Sequence, residues 1–184
     1  MSKFSVIGPA RALRWTLAGV AFCAMVTIAR AEPPAPADTN RASQLVEFAG
    51  TVEVTVANTN DWQPARVNQL LHPGDRLRTA ADSRATLQLS DRSVIRISQS
   101  TILEIQPPTR PARHRFGLKR GALFFLDRER PADVEFETPI ATGAIRGTEF
   151  YLAVAEADAT TRLALLQGAV ELTTASGPRQ LVSG

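Results

Sequence analysis

The stretch Ala85-Thr86-Leu87-Gln88-Leu89-Ser90-Asp91-Arg92-Ser93-Val94-Ile95-Arg96-Ile97-Ser98 decides the fold class. Ala85, Leu87 and Leu89 alternate with Thr86, Gln88 and Ser90. Beyond a polar break, Ile95 and Ile97 alternate with Arg96 and Ser98. A period of two puts the apolar side chains on one face of an extended strand and the polar ones on the other, whereas a helix would scatter them around its circumference.

The same pattern extends outward in both directions. Val52, Val54 and Val56 alternate with Glu53 and Thr55, and Ile102-Leu103-Glu104-Ile105 follows the quoted stretch. Further on come Leu123-Phe124-Phe125-Leu126, Val134-Glu135-Phe136, Phe150-Tyr151-Leu152-Ala153-Val154, Arg162-Leu163-Ala164-Leu165-Leu166 and Val170-Glu171-Leu172. Branched and aromatic residues in short runs, broken by Gly, Pro, Asp and Asn, predict half-buried strands. The expected fold is all-β, a compact roll or curled double sheet of about ten to twelve short strands. Helix is the minor alternative at residues 63–71 and 153–158.

Three of these strands open in the same way. Gly50, Gly121 and Gly168 are each followed by apolar residues at +2 and +4: Val52 and Val54, Leu123 and Phe125, Val170 and Leu172. A glycine there can supply a left-handed or bulged corner before an alternating strand. The intervals are unequal, so this is one recurring device and not a fixed-period solenoid.

Charge and cysteine usage narrow the function classes. The 184 residues carry a net charge of +3, but residues 1–31 hold Lys3, Arg11, Arg14 and Arg30 and no acid. The remainder has 17 basic against 18 acidic residues, so the basic balance belongs to the N-terminus and does not argue for a nucleic-acid partner. Lys3, Arg11 and Arg14 precede an apolar run at residues 15–29, and Ala29-Arg30-Ala31 offers small residues at −3 and −1. This is the layout of a cleavable secretory signal, with cleavage expected before Glu32. The expected location is the periplasm, with the membrane met only during export. Phe22 before Cys23 argues against lipidation. Cys23, the single cysteine, would leave with the signal, so disulfides, cysteine metal sites and cysteine nucleophiles are excluded from the mature chain. Residues 32–44, rich in Pro and Ala, read as an extended linker, with the domain occupying residues 45–184.

Several stretches together resemble the FecR domain family. The strongest is Thr138-Pro139-Ile140-Ala141-Thr142-Gly143-Ala144-Ile145-Arg146-Gly147-Thr148-Glu149-Phe150. It resembles that family's signature of Thr-Pro, a small residue, Gly-Val-Arg-Gly-Thr and an aromatic running into a strand. Leu71-His72-Pro73-Gly74-Asp75-Arg76-Leu77-Arg78-Thr79 resembles its Gly-Asp-x-apolar-x-Thr element, and residues 89–97 resemble its Asp-Gly-Ser hairpin. Residues 118–123 and 166–171 resemble the segments around its Gly-led strands. Ala80 and Arg92 stand where glycine is usual, and Arg92 is expected to carry roughly 1 kcal/mol of strain if its φ is positive. The resemblance implies a non-enzymatic exported binding, sensing or scaffolding module of the bacterial cell envelope. Better-known FecR regulators add a cytoplasmic anti-sigma region, a membrane helix and a C-terminal segment that meets a TonB-dependent receptor. Only about 14 residues precede the apolar run here, and Leu181-Val182-Ser183-Gly184 ends in what reads as a turn, where the family usually continues with a further strand. The expectation is a module without the transmembrane relay, in a truncated chain or a larger parent. Two alternatives stay open: a periplasmic regulator in iron or siderophore signalling through an extracytoplasmic sigma-factor system, and an envelope polysaccharide-binding protein.

Candidate sites follow from charge and backbone. Arg146 can present its guanidinium fork to an anionic ligand or a partner carboxylate, or it can pair internally with Asp75 or Glu149. Arg110, Arg113 and Arg115 lie in a Pro-rich cationic loop, continued by Lys119 and Arg120, without nearby acids in sequence. That loop either contacts an envelope protein or an anionic glycan, or is simply solvated. Gly74, Asp75, Gly121, Gly143, Gly147 and Gly168 read as structural corners. Asp127/Glu129 and Glu135/Glu137 sit at i, i+2, the spacing that puts two carboxylates on one strand face, but no cleft signal accompanies them. His72 and His114 are expected in separate surface turns. No metal, cofactor or phosphate-loop pattern is present, and no catalytic residue is assigned.

Overall fold

The computed structural model describes residues 42–109, 113–127, 131–174 and 177–182. The expected signal peptide, the linker up to residue 41 and Arg110 lie outside the described residues. The first strand begins at Ser43, two residues before the expected start at Leu45. Ser43 and Gln44 have no apolar bulk to announce a strand, yet their backbone pairs with residues 70–71.

Among the described residues there are thirteen strands and no helix. Eight short strands come first: β1 (Ser43–Ala49), β2 (Val52–Thr55), β3 (Gln63–Pro64), β4 (Leu70–Leu71), β5 (Arg76–Thr79), β6 (Arg84–Gln88), β7 (Val94–Ile97) and β8 (Ile102–Gln106). The longer β9 (His114–Leu126), β11 (Ala141–Val154) and β12 (Thr161–Thr174) follow, with the shorter β10 (Ala132–Glu137) and β13 (Gly177–Val182) beside them. Neither helical alternative is a helix: residues 63–71 hold two two-residue strands and a turn with Asn68 at φ 66°, and residues 153–158 are the end of β11 and a turn.

The pairings define two sheets that share their long strands. One runs β3, β2, β5, β8, the first part of β9, β10, the first part of β11, the second part of β12, and β13. The other runs β4, β1, β6, β7, the second part of β9, the second part of β11 and the first part of β12. Among the described residues only β9 and β10 pair in parallel.

The crossings that leave a strand continuous or nearly so fall at glycines. Gly50 (φ 79°) links β1 to β2, Gly121 (φ 89°) divides β9, and Gly168 (φ 131°) divides β12. In β11 the register breaks between Gly147 and Glu149. Left-handed φ is cheap for glycine alone, so the residue that can bend sharply sits where a strand must serve two sheets.

The alternating residues fill the space between the sheets. Leu87 and Ile95, partners across β6 and β7, are fully buried. Phe125 and Phe150 are partners across β9 and β11, and their rings stack with centroids 4.9 Å apart. With Phe116, Phe136, Leu77 and Leu103 they form one core, each side chain contributing about 1.5–3 kcal/mol on burial.

Candidate functional site

The turn joining β6 to β7 supplies the first part of the site. Arg92 adopts φ 72°, the strained conformation expected where glycine is usual. The Asp91 Oδ1 accepts the Ser93 backbone N–H at 3.0 Å and its hydroxyl at 2.6 Å, which fixes the turn. Asp91 Oδ2 is then free to reach His114 Nε2, 3.1 Å away at the start of β9. His114 is therefore a strand residue, four-fifths buried, and not a residue of a surface turn. Burial pushes the Asp91 carboxyl up, but hydrogen bonds from His114 and Ser93 and the His114 charge outweigh it and hold the group well below the usual carboxylate range.

The second part comes from the parallel pairing of β9 with β10. It brings the cationic residues of the loop onto carboxylates about twenty positions away in sequence. Arg113 donates to Glu135 Oε1 at 2.9 Å, and Arg115 donates to Glu137 Oε2 at 3.2 Å. Thr109 adds a hydrogen bond to Glu135 Oε2 at 2.5 Å, and Lys119 lies 3.2 Å from Glu104. Burial raises the Glu135 carboxyl, yet Thr109, Arg113 and Arg115 together lower it below its ordinary value. Two candidates that looked independent, the cationic loop and the paired glutamates, thus neutralise each other.

Part of this network borders a cleft of about 460 Å³. Asp91, Arg113, His114, Arg115 and Asp133 line it, above a floor that includes Ile95, Ile105 and Phe116. Gln106, also in its wall, donates to Glu137 at 3.1 Å while its buried Oε1 has no partner. Ser93, Asp91 and His114 do not form a nucleophilic triad. The serine hydroxyl is donated to the aspartate, so the histidine has no serine proton to take. Among the described residues no group of three potential ligands could hold a metal ion.

Arg146 stands one strand beyond the cleft. It is exposed, and its cross-strand neighbours are Asp133 on β10 and Ala169 on β12. It makes no hydrogen bond or ion pair with Asp75 or Glu149 among the described residues. Asp75 is instead buried, accepting the backbone N–H of Ala57 at 3.0 Å and of His72 at 2.8 Å, next to Gly74 at φ 96°. Gly143 does not have positive φ. It is small because a Cβ there would lie 2.5 Å from the Phe136 ring. Asp127 does not line the cleft, and Glu129 lies outside the described residues.

A feature the sequence reading missed lies around Trp62. The guanidinium of Arg78 sits 4.3 Å from its ring centroid and that of Arg76 5.4 Å away, while Arg78 also donates to Glu53 at 2.6 Å. The alternation of Arg76 and Arg78 on β5 was visible as a signal. The aromatic partner, in a loop before β3, was not.

A protein-family model described as FecR protein matches residues 75–171. The chain belongs to the FecR family. The match covers β5 to most of β12, and so includes the charged residues that line the cleft and the glycines at positions 121, 143, 147 and 168. Two crystal structures described as an anti-sigma factor from Parabacteroides distasonis ATCC 8503 have similar folds, each with a TM-score of 0.50, at 16% and 15% identity. Each alignment covers 59% of this FecR-family chain and 51% of the other, so the chain spans about half the length of those structures. At these identities the likeness is one of fold. No curated protein matches the chain.

Proposed function

We propose that this FecR-family chain is a non-enzymatic binding and sensing module of the bacterial cell envelope, exported through its N-terminal signal, and that it engages its ligand or partner at the cleft between the β6–β7 turn, β8 and the start of β9. The convergence of Asp91, Arg113, His114, Arg115 and Asp133 on one cleft carries this reading. Groups already engaged with one another favour recognition over proton transfer, because a general base needs a reacting proton within reach.

The mutual neutralisation of Arg113 and Arg115 by Glu135 and Glu137 shifts the balance between partner classes. A polyanionic glycan is drawn by unpaired cationic charge, and these pairs leave little of it. A protein partner or a polar ligand fits the cleft better. A regulatory role in iron or siderophore signalling is the second reading, supported by the likeness in fold to a protein described as an anti-sigma factor.

Site-specific photo-crosslinking in the envelope tests the cleft. A photoreactive residue at Asp133 is expected to give a discrete adduct, and the same residue at Arg84, exposed on β6, is expected to give none. Adducts of equal yield at both positions, or at neither, would remove the cleft as the binding site.

A further inference from the structure

The loop between β2 and β3 borders a second groove, of about 590 Å³, lined in part by Asn58, Asn60, Pro73, Arg76, Glu104 and Pro107. Trp62 stands beside it, its ring centroid 5.4 Å from the Arg76 guanidinium. The loop has its shape fixed in advance. The Val56 carbonyl accepts the Thr59 N–H at 3.1 Å and the Thr59 hydroxyl at 2.8 Å, and the buried Asp75 accepts the Ala57 N–H at 3.0 Å. Arg76 donates to the Thr59 carbonyl at 2.6 Å and to Asn60 Oδ1 at 2.8 Å. Asn58 adopts φ 62°, a conformation that asparagine tolerates better than most residues. A wall held in this way has little freedom left to lose on binding.

The groups that this network leaves unused are a mixture of donors and acceptors. The Asn58 side chain makes no hydrogen bond among the described residues, and Asn60 keeps both of its N–H donors. Glu104 keeps one carboxylate oxygen, since the other meets Lys119 at 3.2 Å. The charges around the groove are balanced. Arg78 pairs with Glu53 at 2.6 Å, and Arg76 lies opposite Glu104 across β5 and β8. An anionic ligand would meet Glu104 and a cationic one Arg76, whereas a neutral hydroxyl both donates and accepts. Trp62 adds a half-buried aromatic ring, on which the C–H face of a sugar can pack.

We infer that this groove binds a neutral saccharide, with its hydroxyls on Asn58, Asn60 and Glu104 and a sugar ring against Trp62. The site is apart from the cleft, with which it shares only Pro73. Its ligand also differs from the polyanionic glycan considered for the arginine loop, because net charge plays no part in recognition here.

Trp62 reports on the groove directly. The chain has two tryptophans, and the other, Trp15, lies in the expected signal. The chain recovered from the envelope is titrated with cellopentaose, maltopentaose and laminaripentaose, all neutral. Pentamers of galacturonic acid and of glucosamine serve as charged controls. At least one neutral pentasaccharide is expected to change the Trp62 emission saturably, with a midpoint at or below about 1 mM. That midpoint should move less than about twofold between roughly 50 and 200 mM salt, since no net charge is screened. Asn58→Gly keeps the backbone conformation and removes the amide, so it should weaken binding about fivefold or more with the thermal melt within about 2 °C of wild type. Trp62→Leu, followed by calorimetry, should weaken it about tenfold or more. Silence of all three neutral probes up to about 10 mM overturns the proposal. So does equal or tighter binding of a charged pentamer, or an Asn58→Gly chain that binds as tightly as wild type. Cross-linking at Asp133 reads the cleft separately, so failure of either site leaves the other standing.

Discussion

Gly147 and Gly168 face each other across β11 and β12, at the point where both strands pass from one sheet to the other. A Cβ on Gly147 would lie 2.5 Å from the Gln167 carbonyl oxygen, and one on Gly168 would lie 2.5 Å from the Gly147 Cα. The crowding is mutual, so neither position has room for a side chain. Gly168 also holds φ 131°, whereas Gly147 does not adopt positive φ.

Gly147→Val is therefore expected to destabilise the domain for steric reasons, by about 2–4 kcal/mol. Gly168→Ala should cost a similar amount, because strain in φ adds to a smaller clash. Thermal melts should fall by on the order of 10 °C for either change. Melts within 2 °C or so of wild type would show that the corner relaxes without the glycine pair.

Arg92 poses the opposite case, a side chain where φ is 72°. Arg92→Gly should leave the domain as stable or raise its stability by up to about 1 kcal/mol, since relief of backbone strain competes with the greater freedom of an unfolded glycine. Arg92→Val should lower it by about 1–2 kcal/mol, because a β-branched residue fits this region worst. Urea unfolding of the three proteins gives the ranking. A valine variant as stable as the glycine one would mean that the turn between β6 and β7 shifts to another conformation.

Much of the fold is legible in the sequence because it rests on local pattern. The alternation at residues 85–98 names two strands and the faces they bury, and Gly50, Gly121 and Gly168 mark three of the crossings. β3 and β4 escape notice because two residues cannot show a period. The candidate site was less accessible. Arg113 and Arg115 read as a free cationic loop, and Glu135 and Glu137 as a separate acidic face, since nothing local says that β9 and β10 will run parallel. His114 read as a turn residue for the same reason, its partner Asp91 being 23 positions away. Charges were identified correctly one by one, and their pairing was a property of the topology.

The Asp91 interaction makes stability depend on acid pH. Its carboxyl titrates lower in the folded chain than in the unfolded one. A group depressed in this way contributes fully above its unfolded value, about pH 4, and loses that contribution as pH falls further. Asp91→Asn removes the charge that His114 holds. The stability gap between wild type and this variant should shrink as pH falls below about 4. A gap that stays constant down to pH 2 would show that the carboxylate does not gain from folding.

The paired arginines change what substitution of the loop should do. A solvated loop would tolerate loss of Arg113 and Arg115 with effects within about 0.5 kcal/mol each. Arg113 is only 24% exposed and Glu135 17%, so this pair is screened less than a surface pair. Arg113→Ser leaves Glu135 with Thr109 as its remaining hydrogen-bond donor, and a destabilisation of about 1 kcal/mol is expected. A double-mutant cycle of Arg113→Ala with Glu135→Ala should return a coupling of about 0.5–1.5 kcal/mol. The same pairing bears on polymer binding. With its arginines engaged, the wild-type chain should sediment only weakly with isolated peptidoglycan at about 50 mM salt, and Glu135→Gln/Glu137→Gln should increase retention by freeing cationic charge. That gain should disappear near 200 mM salt, where exposed charges are screened. Strong wild-type retention at low salt, lost on changing Arg113 and Arg115 to serine, would return the glycan reading to first place and show that the ion pairs open in the presence of the polymer.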